Sequence, residues 1–576
     1  QIFADNSEIL YQTLSYNPVT GAVEQRQTYD VQGRVVQISD YDQEGLESRQ
    51  RNYDALGRQT SDQRFLYATV AAVSWKQIDD YDEIGNLVQT SSFQNGRKAY
   101  DETFNPATGL SRFKRWYYQT TTAEQLWRVI LCDGQGKASQ LTEYDRSGAL
   151  VHSQIDVSYL DTTVQTQAGM AALQDASPSG LLPDNPDDNS FVYHEGNRQD
   201  WAKIYAYTQA STYEQAVIGI DFLKSGQNQR AKTLLDFFYA ELHKETDAGQ
   251  AFTGFYTLYN IDPVNWWKKY EWRKTLGETA WVALFALHYA EAVADPVEKS
   301  RALELATAVG KWAALVPHLG GAVAMGMPDS QYGWVISVEN NLDYYVICRE
   351  LAQRAASAQD RALFATEAAN NKNWLKASAY DPVRGLFRGG GIADYGSGTV
   401  VWRNENPLDS NSWAIGAIGP QVLQDEFGIN LDEFVGKIGA SFAVSDNGTF
   451  GGSLGEAKGF DFGDGANAAT LNRRGLKWFE GTQQMILAYK ILARFHRATT
   501  PGKATYYENL ARLFSMRNSD NALAVGAQIF YPYADVEGAQ IFGYTNLWKT
   551  PYGWRDPNSN AWADLSELGI SPFFID

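Results

Sequence analysis

Ser337-Val338-Glu339-Asn340-Asn341-Leu342-Asp343, continuing as Tyr344-Tyr345-Val346-Ile347-Cys348, opens on polar residues and runs into a stretch that is apolar on nearly every side. The pattern recurs. Its other openers are Thr212-Tyr213-Glu214-Gln215, Gly277-Glu278-Thr279-Ala280-Trp281, Asp409-Ser410-Asn411-Ser412-Trp413, Trp478-Phe479-Glu480-Gly481-Thr482 and Asn558-Ser559-Asn560-Ala561-Trp562, six in all. Each leads an apolar segment, such as 281–290, 342–351 or 413–423, and five of the six give way to an amphipathic one, such as 299–316, 361–375 or 505–516. A helix apolar all round belongs at the centre of an assembly and an amphipathic one outside it. Their alternation over 201–576 predicts an (α/α)6 toroid. Its sixth outer helix is missing from this part of the chain, so the stretch before the first inner helix is the candidate to close the ring. Links from inner to outer helix are short, about 3–8 residues, and links back are long, about 18–40. That asymmetry gathers the irregular chain at one end of the ring, where function is expected.

Composition narrows the function. Among 576 residues the net charge is −19 and the pI near 4.9, which disfavours nucleic acid and anionic membrane surfaces as partners. It also favours a neutral over a strongly anionic polymer. Cys132 and Cys348 fall in different segments, which excludes a disulfide framework. No run of 18 apolar residues marks a membrane span. The sequence begins at Gln1 rather than Met, from which we expect a removed leader and an exported protein, secreted, periplasmic or on the cell surface. Aromatic residues reach 13%, with 17 Trp and 33 Tyr, a content that suits both large cores and platforms for sugar rings.

Residues 1–160 read differently. Tyr-Asp-x-x-Gly recurs at Tyr29-Asp30…Gly33, Tyr41-Asp42…Gly45, Tyr53-Asp54…Gly57, Tyr81-Asp82…Gly85 and Tyr144-Asp145…Gly148, with variants at Tyr16-Asn17-Pro18…Gly21 and Phe104-Asn105-Pro106…Gly109. Asp or Asn starts a turn and Gly ends it. Alternating stretches such as Arg34-Val35-Val36-Gln37-Ile38 lie between, so an antiparallel β meander is predicted. The motifs resemble the YD repeats of Rhs-type and teneurin-like bacterial surface proteins, which implies a structural sheet beside the helical domain. Residues 161–200, rich in Pro, Gly and Asp, read as a linker or long loop. Its acidic cluster lacks the alternating ligand spacing of a calcium loop, and no His motif has metal-ligand spacing, so neither metal nor cofactor is expected. Gly389-Gly390-Gly391 reads as a flexible loop rather than a phosphate cradle.

Carboxyls at the helix openings carry the chemistry. Asp409, followed by Ser410 and Asn411, fits a helix cap as well as a site residue, whereas Glu339 and Glu480 follow bulky apolar residues and are expected to face a desolvated centre. Hydrolysis of a glycosidic bond with inversion needs one protonated carboxyl at the leaving oxygen and one carboxylate activating water opposite it. Glu480 as general acid and Glu339 as general base, on non-adjacent helices, meet that need, with Asp343 and Asp409 orienting water or substrate. The substrate-binding set comprises Trp266, Trp267, Glu271, Trp272, Arg273, Glu278, Trp334, Asn340, Trp402, Arg403, Trp413, Trp478, Gln483, Trp554 and Arg555. Loop tryptophans stack on sugar faces and arginines bind hydroxyls. A polysaccharide lyase using Tyr332, Tyr344 or Tyr345 and a non-catalytic glycan-binding or cell-surface scaffold stay open as alternatives.

The openers around Glu339, Asp409 and Glu480, together with Ala561-Trp562 and Gly569-Ile570-Ser571-Pro572-Phe573, resemble a bacterial family of exported (α/α)6-toroid proteins, similar in architecture to glucoamylase-like glycoside hydrolases and β-glucanases. The resemblance implies an α+β multidomain chain, an N-terminal antiparallel β-sheet followed by the toroid, and a polysaccharide or oligosaccharide substrate.

Overall fold

A computed structural model describes residues 162–575 apart from 185, 188–190, 193–203, 262–272, 329, 331, 520, 526–527 and 537–554. Ahead of residue 162 it describes the β-strands together with residues 30, 32–34, 54–58, 82, 86 and 105. The chain divides into two compact units. One comprises Gln1–Gln165 with Ser453–Glu456 and Leu492–Leu513, the other Thr166–Gly452, Ala457–Ile491 and Phe514–Asp576.

In the first unit thirteen strands, from Ile2–Phe3 to Leu150–Ile155, form one sheet in which every strand pairs antiparallel with its sequence neighbours. Two turns show how the sequence directs this. Asp30 Oδ1 accepts the backbone N–H groups of Gln32 and Arg34, its Oδ2 pairs with the Arg34 guanidinium at 2.6 Å, and Gly33 takes φ +76°. Asp54, Gly57 and Arg58 repeat the arrangement, with Gly57 at φ +78°. Only glycine adopts that backbone freely. The glycines at 21, 45, 85, 109 and 148 lie outside the described residues.

The second unit is helical. The helices are α1 (Thr162–Ala176), α2 (Thr212–Lys224), α3 (Asn228–Thr246), α4 (Leu276–Ala292), α5 (Pro296–Ala313), α6 (Val338–Arg354), α7 (Ala358–Trp374), α8 (Asp409–Ala417), α9 (Pro420–Asp425), α10 (Leu431–Phe442), α11 (Gly465–Thr470), α12 (Phe479–His496), α13 (Pro501–Ser519) and α14 (Pro557–Leu568), of which most of α13 and the end of α12 count with the first unit. The inner ring runs α2–α4–α6–α8–α12–α14 and back to α2. Its first four members pack side by side, as do α14 and α2. Ser412 Oγ donates to Gln484 Oε1 (2.9 Å) between α8 and α12, and Ser566 Oγ to Gln483 Oε1 (2.8 Å) between α14 and α12. The residues of α4 from Thr279 to Ala290 are all buried, as befits a helix apolar all round.

Residues 162–176, expected within a linker, form α1 instead. Thr166 Oγ1 donates to Asp564 Oδ1 (2.6 Å) on α14, so this helix partners the last inner helix and closes the ring. The Gly389–Gly391 run is no flexible loop either: 390–394 are a strand, and a Cβ on any of the three glycines would lie 2.4 Å from Pro407, the Ile336 carbonyl or the Val401 carbonyl. These glycines serve close backbone approach.

Below the inner ring the segment after α14 folds back. His288 Nε2 meets the Pro572 carbonyl (2.8 Å), and Arg349 donates to the Ala417 (2.7 Å) and Phe573 (2.5 Å) carbonyls. Phe573 packs on Trp281 and Trp413, with ring centroids 5.4 and 5.6 Å away. Helices α2 and α4 pack closely, and a Cβ on Gly219 would stand 2.6 Å from the Phe285 ring. Gly219→Ala should therefore cost about 1–3 kcal/mol through overpacking. Chemical denaturation checks this, and an unchanged midpoint would show that Phe285 moves aside freely.

Candidate active site

Each inner helix is tied by one side chain near its start to the backbone of the loop before it. Gln215 accepts from Leu182 N and donates to Leu182 O, both at 2.8 Å. Thr279 accepts from Phe255 N (3.2 Å) and Thr482 from Phe460 N (3.0 Å). Asn341 binds Val323 N (2.8 Å) and O (2.9 Å), Asn411 binds Phe387 N (2.9 Å), and Asn560 binds Tyr531 N (2.8 Å) and Ile529 O (2.9 Å). These six anchors give the repeats a common register. Two residues before them stand Tyr213, Gly277, Glu339, Asp409, Glu480 and Asn558, and two residues after them Val217, Trp281, Asp343, Trp413, Gln484 and Trp562.

The lower level is a floor. Trp281, Trp413 and Trp562 meet with ring centroids 5.2, 5.9 and 6.4 Å apart, and Tyr213 lies over Trp281 (5.1 Å) and Trp413 (6.1 Å). Above it the carboxyls collect. Asp343, Asp409 and Glu480 are buried, while Glu214, Glu278 and Glu339 keep part of their surface open at the ring's centre. Asp409 is no cap: the residue at the α8 cap position is Leu408, and Asp409 Oδ1 has no hydrogen-bond partner among the described residues.

Glu480 and Glu339 are held in opposite ways. Glu480 Oε1 accepts from the Tyr213 hydroxyl and from Gln484 Nε2 (3.1 Å), and its Oε2 from Asn558 Nδ2 (2.8 Å). Trp562 Nε1 donates to the Tyr213 oxygen (2.9 Å), which leaves the tyrosine proton for Glu480. Burial nevertheless pushes Glu480 up to about 8, against the Tyr213 hydrogen bond and with help from the Asp556 and Glu339 charges. No described side chain donates to Glu339, and burial with the nearby Glu278 charge pushes it up to about 8 as well. Burial, then the Glu339 charge, raises Asp343 and Asp409 well above the ordinary carboxyl range.

A second acidic group sits toward α2 and α14. Glu214 and Asp184 meet as a carboxyl pair, raised first by burial, Asp184 to about 7; Asp556, the cap of α14, is pushed by burial up to about 6. The sequence reading passed over this group, and over Tyr213, Asn558 and Gln484. Aligning the six openers on their Asn, Thr or Gln anchor would have put Tyr213 and Asn558 in register with Glu480.

Other expected site residues fare variously. Asn340 is buried beside Gly277, and Trp413 and Trp478 are buried with their indole N–H groups unpartnered. Trp334 is exposed, 48% open, and Arg403 is exposed. Arg273 donates to the Tyr332 hydroxyl (2.5 Å). Three are engaged elsewhere. Trp402 stacks on Trp374 of the outer helix α7 (6.0 Å) beneath Arg388, Gln483 serves Ser566, and Arg555 is paired with Asp187 at 2.6 Å. Trp266, Trp267, Glu271, Trp272 and Trp554 lie outside the described residues. Among the described residues no group of three or more His, Cys, Asp or Glu is arranged to hold a metal ion.

Neither a family model nor a curated protein sequence matches the chain. Solved structures that it resembles include a glycosidase (13% identity, 72% of this chain and 98% of that one, TM-score 0.46) and a sugar epimerase from a ruminal bacterium (10%, 72% and 97%, 0.43). Another is an unsaturated glucuronyl hydrolase specific for heparin (12%, 71% and 96%, 0.45).

Proposed function

We propose that the protein is a glycoside hydrolase acting on a neutral, glucan-like polysaccharide outside the cell, with Glu339 as general acid and Glu480 as general base. The contrast between the two carboxyls carries this reading. Three donors converge on Glu480 and favour its ionised form, which suits a base that takes a proton from water. Glu339, raised equally by burial, has no such donors to favour its ionised form, which suits an acid that keeps its proton until a leaving oxygen needs it. The roles are thus exchanged relative to the expectation from sequence. Asp409, raised first by burial, also feels the charges of both glutamates.

Unsatisfied groups support the substrate class. Among the described residues Glu278 Oε2, both Asp343 oxygens, Asp409 Oδ1, Asn340 Oδ1 and Asn558 Oδ1 have no hydrogen-bond partner, and neither have the indole N–H groups of Trp281, Trp413 and Trp478. Trp281 does lie close enough to Asp343 to moderate its shift. Sugar hydroxyls, which both donate and accept, complement such a set of carboxyls, amides and indoles. Arg273, beside Glu278, is the one cation among the leading influences on these raised carboxyls, which is a poor setting for a uronate. The tyrosines open to a lyase are also occupied: Tyr332 by Arg273, Tyr344 by Glu367 (2.9 Å) and Tyr345 under Arg349 (5.6 Å). A panel of neutral and uronate-containing polysaccharides tests the reading. Reducing ends should appear from a neutral glucan without the ultraviolet absorbance of an unsaturated uronate. That absorbance would establish a lyase, and silence across the panel a binding or scaffold protein.

A further inference from the structure

Three of the six anchors do more than tie down the preceding loop. Asn341 Nδ2 also donates to the Ser337 carbonyl (2.7 Å), Asn411 Nδ2 to the Pro407 carbonyl (3.3 Å) and Thr482 Oγ1 to the Trp478 carbonyl (2.7 Å). Each of these bonds reaches back four residues, to a carbonyl just ahead of its own helix, and so spans the residue two before the anchor. Those spanned residues are Glu339, Asp409 and Glu480. The other three anchors, Gln215, Thr279 and Asn560, make no such side-chain bond among the described residues, and the positions two before them hold Tyr213, Gly277 and Asn558. Among the described residues the device occurs where an acid stands two places before the anchor and not at the other three openings.

We propose that Asn341, Asn411 and Thr482 are positioning residues, clamps that fix the backbone on both sides of each acid and so set where its carboxyl points. Each clamp is buried, at 0% exposure, and joins two backbone segments at once. One bond holds the first helical turn, and the other holds the loop strand that precedes the helix. For Asn341 all four hydrogen-bonding sites are used: Nδ2 on Val323 O and Ser337 O, Oδ1 by Val323 N and Asn371 Nδ2 (2.8 Å). A carboxyl that must meet a glycosidic oxygen or a water tolerates little misplacement, and a shift of about 1 Å can cost on the order of 10²-fold in rate. A clamp in the helix start removes that freedom without touching substrate. It also explains why threonine replaces asparagine at 482: a hydroxyl supplies one donor and one acceptor, the two functions needed.

This inference rests on the hydrolase reading, and the test separates the two. Thr482→Val keeps the shape and removes only the hydroxyl; Thr482→Ser restores it; Asn341→Val and Asn341→Thr form the parallel pair. Hydrogen exchange read by mass spectrometry follows the Phe460 and Val323 amides, whose acceptors are Thr482 and Asn341. Exchange there should quicken at least tenfold in both valine variants and return toward the parent rate in the Ser and Thr variants. Turnover on the responsive glucan should fall about 10–100-fold in the valine variants with KM changed less than about threefold. The limb of the pH–rate profile belonging to the displaced carboxyl should move, and the hydroxyl variants should recover both. Quickened exchange with unchanged turnover and pH profile would overturn the positioning role. Unaltered exchange in the soluble, folded Thr482→Val protein would overturn the clamp itself. If no polysaccharide is cleaved, the exchange result still decides the clamp, while the hydrolase reading fails separately.

Discussion

Replacing Glu480 with glutamine is expected to slow cleavage by about 10²–10⁴-fold whatever the leaving group, because the base that activates water is lost. Glutamine keeps an oxygen for the Tyr213 hydroxyl and Gln484, so the fold and sugar binding should persist. Glu339→Gln should behave differently. On a sugar leaving group the loss should be as large, but a glycosyl fluoride departs without a proton and should be hydrolysed at near-parent rate. Steady-state kinetics of both variants on both substrates checks the assignment. The opposite pattern, with Glu480→Gln active on the fluoride and Glu339→Gln not, would restore the assignment expected from sequence. Equal losses on both substrates in both variants would remove the division of roles. Unfolding of either variant would make that glutamate a structural group.

The second large effect concerns stability against pH. Burial holds Glu339 and Glu480 near 8, Asp184 near 7 and Asp556 near 6, all above the carboxyl range of an unfolded chain, about 4. A group whose pKa is raised by folding binds its proton more tightly in the folded state. Its contribution is complete below the unfolded value and is lost as pH climbs through the folded one. Folding stability should therefore decline between about pH 5 and 8, by on the order of several kcal/mol for the cluster. His288, kept near 3 chiefly by burial, works the other way and weakens the fold as pH drops below about 6.5. Denaturant midpoints at pH 5, 6.5 and 8 should fall in that order, and Glu480→Gln should flatten the trend. Midpoints that are level or rise with pH would rule out the buried cluster as the dominant titrating group.

The alternation of helix types was legible because an apolar inner helix and an amphipathic outer one differ in composition along their whole length. The placement of Glu339, Asp409 and Glu480 at helix starts was legible for the same reason. What the sequence hid were directions. Trp402 and Trp334 both read as loop aromatics, yet one stacks on an outer helix and the other stays open to solvent, and residue type does not separate them. Gly389–Gly391 read as flexible because glycine is permissive, whereas here it makes room for neighbouring carbonyls. The helix at 162–176 was obscured by the Pro- and Asp-rich stretch that follows it. Asp184 lay within that stretch, and the Gln215 anchor on Leu182 together with the Ser211 N–H on Asp184 Oδ1 (2.6 Å) brings it to Glu214.

The bond between Thr166 and Asp564 joins residues 398 positions apart. During synthesis at roughly 5–20 residues per second, α1 must wait on the order of 20–80 s for its partner to be made. Helices α2 to α8 can dock on one another as they emerge, but the flank of α2 meant for α14 stays bare throughout. The nascent chain thus carries an unsealed apolar edge for most of its time on the ribosome, a natural target for chaperone capture. Refolding in vitro should be limited by this last, long-range closure rather than by helix formation.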